Sequence, residues 1–192
     1  MLPNRQIKVE AKAALSGNWG IAIGIWVVYL VLGSAIEFTF IGPIILSGVF
    51  AFGFMAAYLT LVRTKSTSFE TLFSGFSNFG TTCVAGILQT IFLTLWSLLF
   101  IIPGIVKTYS YSMTYYILRD NPNLSACEAI TESRRMMNGY KGKLFCLDLS
   151  FIGWFLLCAL TFGLLGLYVL PYYNAARARF YEDLKNKPTV EG

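Results

Sequence analysis

Six apolar runs organise the chain, near residues 19–36, 41–62, 82–102, 105–118, 144–161 and 164–181. An α-helix needs about 20 such residues to cross a bilayer, and the fourth run is the short one. The third and fourth meet at Pro103 and Gly104. As one helix, residues 82–118 would extend roughly 55 Å at 1.5 Å per residue. The hydrocarbon core is only about 30 Å thick. The pattern therefore predicts a tight hairpin turned at Pro103-Gly104. Gly42-Pro43 and the stretch from Gly163 to Gly166 are expected to turn two more.

Each hairpin is preceded by a segment that mixes polar and apolar positions at helical spacing. Residues 4–15 set Arg5, Lys8 and Lys12 against Ile7, Ala11, Ala14 and Leu15. Residues 67–76 open with Thr67-x-x-Glu70, a capping-box pattern, and repeat Phe69, Leu72, Phe73 and Phe76. Residues 125–138 open with Ser125-x-x-Glu128, stop before Gly139, and place Glu132 three residues from Arg135. These segments are expected to be amphipathic helices at the cytoplasmic interface. The order of amphipathic helix and hairpin then occurs three times. Pro43 and Pro103 lie 60 residues apart, and Trp19, Thr81 and Lys143 open successive hairpins at spacings of 62. Residue identity between the units is poor, so the repeat rests on hydropathy.

Composition agrees with a lipid-solvated chain. Hydrophobic residues make up 56% and charged residues 13%, about half the charge of a soluble domain. The distribution of cations then tests the six-span count. With six spans, Arg5, Lys8, Lys12, Arg63, Lys65, Arg119, Arg134, Arg135, Lys141, Lys143, Arg177, Arg179, Lys185 and Lys187 all fall on one side. Lys107 alone points toward the other. Both termini are therefore expected in the cytoplasm. No signal peptide is visible, and the first apolar run is expected to stay in the mature protein. The net charge of +5 implies anionic lipid headgroups as partners, not nucleic acid, because the cations flank apolar runs. Cys83, Cys146 and Cys158 read as apolar positions inside spans, and Cys127 as a reduced cytoplasmic thiol.

Three stretches resemble a bacterial membrane family. The first comprises Ile102, Pro103, Gly104, Lys107, Tyr109, Tyr111, Tyr115, Tyr116, Ile117, Leu118, Asp120, Asn121 and Pro122. The second comprises Ser125, Glu128, Ala129, Ile130, Glu132, Ser133, Arg134, Arg135, Met136 and Asn138. The third comprises Leu144, Phe145, Asp148, Leu149, Ser150, Phe151 and Trp154, and the opening Gly17, Asn18 and Trp19 fits as well. Over nearly its whole length the chain is similar to domain-of-unknown-function family 975. The resemblance implies a multi-pass protein of the bacterial cytoplasmic membrane, with no catalytic residues to carry over.

Candidate functional residues are the charges and hydroxyls inside or beside the spans. Glu37 ends the first span and Lys107 begins the fourth; both are expected near the outer surface, within reach of each other. Asp148 and Arg177 lie about one turn inside the cytoplasmic ends of the fifth and sixth spans and are expected to meet. Intramembrane charge is costly, about 2.5–3.5 kcal/mol at the bilayer centre, so such residues pair, snorkel or line a polar cavity. The fourth span is rich in hydroxyls, with Thr108, Tyr111 and Tyr115 on one face. These serve interhelical hydrogen bonding or a groove for a headgroup or peptide.

Enzyme patterns fail one by one. Histidine is absent, which removes the Ser–His dyad. Only Asp148 sits well inside a span, so facing intramembrane aspartates are missing. Glu128 and Glu132 share a helical face but lack further metal ligands, and no phosphate-binding glycine loop is present. No cofactor is implied. The expected fold is an all-α polytopic bundle of six spans in three hairpins with interfacial helices. Residues 1–186 form one integral membrane domain and 187–192 a short cytoplasmic tail. The expected function is non-enzymatic: binding of lipid or a partner at the cytoplasmic leaflet, in envelope stress or peptide immunity, the partner being another protein or, in a homo-oligomer, a second copy of the chain. The alternative is a small transporter or channel with a polar pocket between helices.

Overall fold

A computed structural model describes residues 1–37, 42–99 and 101–186, without the side chains of residues 35–37, 42–45, 98–99 and 101–102. The fold is all-α among these residues. In chain order the helices are α1 (Asn4–Leu15), α2 (Trp19–Glu37), α3 (Gly42–Thr64), the 3₁₀ segment η1 (Phe69–Asn78), α4 (Phe79–Leu99), α5 (Ile101–Tyr111), α6 (Thr114–Asp120), α7 (Ala126–Met136), α8 (Lys141–Leu149), α9 (Ile152–Leu160) and α10 (Gly166–Lys185).

Consecutive long helices pack in antiparallel pairs. Along α2 and α3, Asn18 Nδ2 donates to the Lys65 carbonyl (2.7 Å), the Tyr58 hydroxyl donates to the Ala22 carbonyl (3.0 Å), and the Tyr29 and Phe54 rings are 4.3 Å apart. A step up one helix matches a step down the other. The same order holds for Phe92–Tyr111 and Trp96–Lys107 between α4 and α5. It holds again for Asp148–Arg177 and Phe151–Tyr173 between the α8–α9 run and α10.

The three segments that precede these pairs share one habit: each lies along the second helix of a pair. On α10, α1 is held by the Glu10–Arg179 ion pair, a bond from the Tyr172 hydroxyl to the Lys8 carbonyl (3.2 Å), and one from the Leu2 amide to Asp183 (2.8 Å). On α3, η1 packs backbone to backbone. A Cβ at Gly53 would stand 1.7 Å from the Leu72 carbonyl oxygen, and one at Gly75 2.2 Å from that of Val49. Only glycine permits that approach. Against the end of α5, α7 inserts Ser133, whose hydroxyl donates to the Ser110 carbonyl (2.8 Å) and accepts the Met113 amide (3.2 Å). The relation is cyclic, because the first segment rests on the last helix.

Several local expectations change. The Thr67-x-x-Glu70 capping box does not form: Ser68 takes the cap position, and the Thr67 hydroxyl is buried without a hydrogen-bond partner. The segment is 3₁₀ instead of α, which brings residues three apart into line. Phe73, Phe76 and Phe79 therefore stack in a half-exposed row, with centroids 6.4 and 6.3 Å apart, while Leu72 turns inward. Pro103 and Gly104 lie inside the first turn of α5, where a missing amide costs nothing. Helix α4 ends at Leu99 and α5 begins at Ile101, just before them. Gly42 and Pro43 likewise begin α3, and residues 38–41, with the first residue of the second predicted span, lie outside the described residues. The fourth apolar run divides at Ser112–Met113 and the fifth at Ser150–Phe151. The Ser125–Glu128 capping box does form, Gly139 adopts a φ of +78°, and Glu132 pairs with Arg135 at 2.8 Å.

Among the described residues, the runs Leu46–Thr64, Phe69–Ser97 and Lys141–Leu160 are long and apolar enough to cross a membrane. The pair Asn4–Leu15 and Trp19–Ser34, joined through a 96° bend, makes a fourth if counted as one span. The break at Ser112–Met113 shortens the α5–α6 run. The second half of α10 carries Arg177, Arg179, Glu182, Asp183 and Lys185, so neither element meets that measure. Burial is strongly asymmetric. In α2, Ala22 and Ile25 are buried but Val27, Leu30 and Val31 are exposed; in α4, Thr82 and Ala85 are buried but Ile91 and Leu95 are exposed. No residue of α9 is buried. The core thus gathers toward one pole, where α3, α6 and α10 end.

Candidate functional site

That pole is closed by a charged network. Asp120, the last residue of α6, accepts from Arg63 at the end of α3 (2.6 and 2.7 Å), from Lys185 (2.6 Å) and from the Tyr181 hydroxyl (2.8 Å) of α10. Arg63 also donates to Glu182 (2.7 Å). The Asp120 side chain is 6% exposed. Burial alone would raise its pKa, but the hydrogen bonds from Arg63, Lys185 and Tyr181 outweigh it and hold the carboxyl at about 2, below its ordinary 3.8. None of these residues was a sequence candidate for the site, because the charges among them looked like ordinary charges at helix ends.

One turn inward lies a second polar cluster. Arg177 Nη2 is 3.9 Å from Asp148 Oδ2, so the expected pair is present but looser than Arg63–Asp120. The Arg177 guanidinium also sits over the Tyr173 ring at 5.5 Å. The Tyr109 and Tyr173 hydroxyls approach the carboxylate, and Tyr116 is near enough to interact with both charges. Asp148 Oδ1 is nonetheless buried without a hydrogen-bond partner among the described residues. Three helices build this cluster: α5 supplies Tyr109, α8 supplies Asp148, and α10 supplies Tyr173 and Arg177.

The other sequence candidates scatter. Tyr111 is buried against Phe92, and the Tyr115 hydroxyl reaches α4 beside Gly86. Both face α4, not a common pocket with Asp148. Lys107 stacks over the Trp96 ring, 4.4 Å from its centroid. The Glu37 side chain lies outside the described residues, and with it the expected Glu37–Lys107 pair, as do Lys187 and the tail 187–192. Glu128 and Glu132 rim an open groove of about 570 Å³ with Asn121, Leu124, Cys127 and Thr131. Ser125 holds the exposed Glu128 below the ordinary carboxylate range through its side-chain and backbone bonds, and Arg135 occupies Glu132. Among the described residues no three potential ligands converge on a metal position. All four cysteines are free; Cys127 and Cys146 are exposed.

A family model described as a protein of unknown function, DUF975, matches residues 1–110 and 98–188. No curated protein and no solved structure matches the chain.

Proposed function

The chain belongs to domain-of-unknown-function family 975, and from that premise we propose that it is a non-enzymatic protein of the bacterial cytoplasmic membrane that binds lipid or a protein partner at the cytoplasmic leaflet. Six spans in three hairpins, with both termini inside, is the topology of this reading. The antiparallel pairs α2–α3, α4–α5 and α9–α10 support it, as does the meeting of Arg63, Asp120 and Glu182 at one pole. Envelope stress and peptide immunity are the settings in which such a protein would act. The observation that carries the reading is the asymmetry of the fold. The ion-paired Arg63 and Lys185 share one pole with the buried core, while apolar side chains stand free elsewhere, with Leu160 77%, Phe162 99% and Leu164 75% exposed. Lipid is the solvent that such a surface requires.

A transporter or channel is the second reading, and the Asp148–Arg177 cluster favours it. It needs a polar route outward, and α9 (Ile152–Leu160) offers none on its own surface, since every residue from Ile152 to Leu160 is apolar or glycine. The test is purification with native lipids and mass spectrometry of what remains bound. Anionic lipids should be enriched over their share of the membrane. Retention in bulk proportion, with no protein partner, would overturn the binding reading. For topology, single cysteines near Lys65 and Asn138 should resist an impermeant thiol reagent in intact cells, and one near Gly42 should react. Labelling at Asn138 would sink the six-span arrangement.

A further inference from the structure

The break between α5 and α6 is built from polar groups that the core could have done without. Tyrosines apart, four polar residues are almost completely buried among the described ones, and three of them, Ser110, Thr114 and Ser133, stand at this break. The hydroxyls of the run turn back on its own backbone. Ser110 donates to the Val106 carbonyl (2.9 Å), Ser112 to that of Tyr109 (2.8 Å) and Thr114 to that of Tyr111 (2.8 Å). Bonds of this kind loosen and bend a helix. Ser133 enters from α7 and bridges the gap. Its oxygen accepts the Met113 amide (3.2 Å), and its hydroxyl donates to the Ser110 carbonyl (2.8 Å).

Those are two groups that an unbroken helix would use for itself. At helical spacing the Met113 amide would donate to the Tyr109 carbonyl, and the Thr114 amide to the Ser110 carbonyl. The same backbone therefore has two pairings, a bent one that includes Ser133 and a straight one that does not. Neither leaves the Met113 amide or the Ser110 carbonyl unpaired, so no buried orphan separates them. In the straight form Ser133 loses both partners, and a buried hydroxyl without partners drives α7 to shift as well. The far end of α6 feels the change, because it carries Asp120. A change of about 20°, the lower limit of a sharp kink, would move the end of a helix about 10 Å long by roughly 3–4 Å. The bonds to Asp120, all within 2.8 Å, would not survive that movement. We propose that the junction of α5 and α6 is a two-state hinge, held bent by Ser133 of α7, and that its straightening frees Asp120 from Arg63, Lys185 and Tyr181. The outer face of α7, with Glu128 and Glu132, lines the open groove. The latch thus stands between an accessible surface and the tie at the pole. The hinge is independent of what the protein binds.

The test uses the full chain in detergent at pH 7 and the variant S133A, which removes the latch. Helical content by circular dichroism shows that the variant is folded. The first readout is the thermal midpoint of the parent, S133A, D120N and S133A/D120N. In the parent, D120N should lower the midpoint by about 4–12 °C. In S133A the carboxylate has already left its partners, so the same change should lower it by less than about half as much. The Thr131 hydroxyl donates within α7, and T131A should leave the D120N shift intact. The second readout is amide exchange at Met113, followed by mass spectrometry. Once straightened, the run bonds this amide to the Tyr109 carbonyl, so its exchange in S133A should stay within about threefold of the parent. A break that had merely lost its serine would exchange on the order of tenfold faster or more. Should S133A fail to fold, S133C keeps the size, weakens both bonds and serves the same two readouts. Strict additivity of the latch and D120N losses, or fast exchange at Met113 in the folded variant, would overturn the hinge. Neither result depends on which lipid is retained, so the lipid-binding reading stands or falls separately.

Discussion

Replacing Asp120 by asparagine removes one charge and almost no volume, yet it should loosen three helices at once. The carboxylate takes two bonds from Arg63, one from Lys185 and one from Tyr181, all within 2.8 Å. Stranding a buried partner charge costs about 3–5 kcal/mol. Here Arg63 keeps Glu182 and part of its solvent access, so the loss should be smaller. The shift of the Asp120 carboxyl in the fold gives a second figure, drawn from the same contacts. That carboxyl stands at about 2 in the fold against 3.8 ordinarily. A gap near two units at about 1.4 kcal/mol each amounts to roughly 2–3 kcal/mol. Because the folded value is the lower one, this stabilisation is complete above about pH 4 and disappears as pH falls through about 2. Thermal unfolding in detergent at pH 7 should therefore place D120N about 4–12 °C below the parent, at roughly 2–4 °C per kcal/mol for a chain of this size. The gap should close as both are acidified toward pH 2. Equal midpoints at pH 7, or a gap that does not narrow in acid, would refute the account of Asp120 as the charged tie between α3, α6 and α10.

Other changes probe separate links. For Asp148→Asn, Arg177→Gln and the double variant, thermal stability should show a coupling of about 1 kcal/mol or more, and strict additivity would mean that the 3.9 Å approach carries no interaction. Ser133→Ala leaves the Met113 amide without its acceptor, and should cost about 1–3 kcal/mol in the same assay; an unchanged midpoint would show that water replaces the hydroxyl. Gly53→Ala places a methyl group inside the Leu72 carbonyl and should dislodge η1, read as new proteolytic cleavage within Phe69–Asn78, whereas Gly20→Ala meets open space and should not. Cleavage unchanged by Gly53→Ala would deny the close packing of η1 on α3.

Periodicity and turn residues located the helices well because apolar runs and caps are local signals. Residues 4–15 became α1 without a shift, and Ser125-x-x-Glu128 capped α7 as read. The same logic failed at Thr67-x-x-Glu70, where contact with α3 imposed a 3₁₀ path that no local pattern announces. It also misplaced Pro103-Gly104, since proline marks the first turn of a helix as readily as the loop before it. Of the candidate residues, Asp148 and Arg177 were legible because similar depth in adjacent helices forces opposite charges together. Asp120 and Ser133 were not. Their roles depend on helices far apart in sequence that share no motif, and only assembly reveals that Ser133 fills a break in the backbone 20 residues earlier.

The cyclic arrangement of the flanking segments has a temporal side. Helix α1 leaves the ribosome well before the surface it rests on, from Tyr172 to Asp183. Until α10 arrives, the apolar face with Ile7, Ala11 and Leu15 lacks the helix it packs against most. Loss of α10 would thus reach back to α1, more than 150 residues earlier, and leave the Ile7–Ala11–Leu15 face open to proteases.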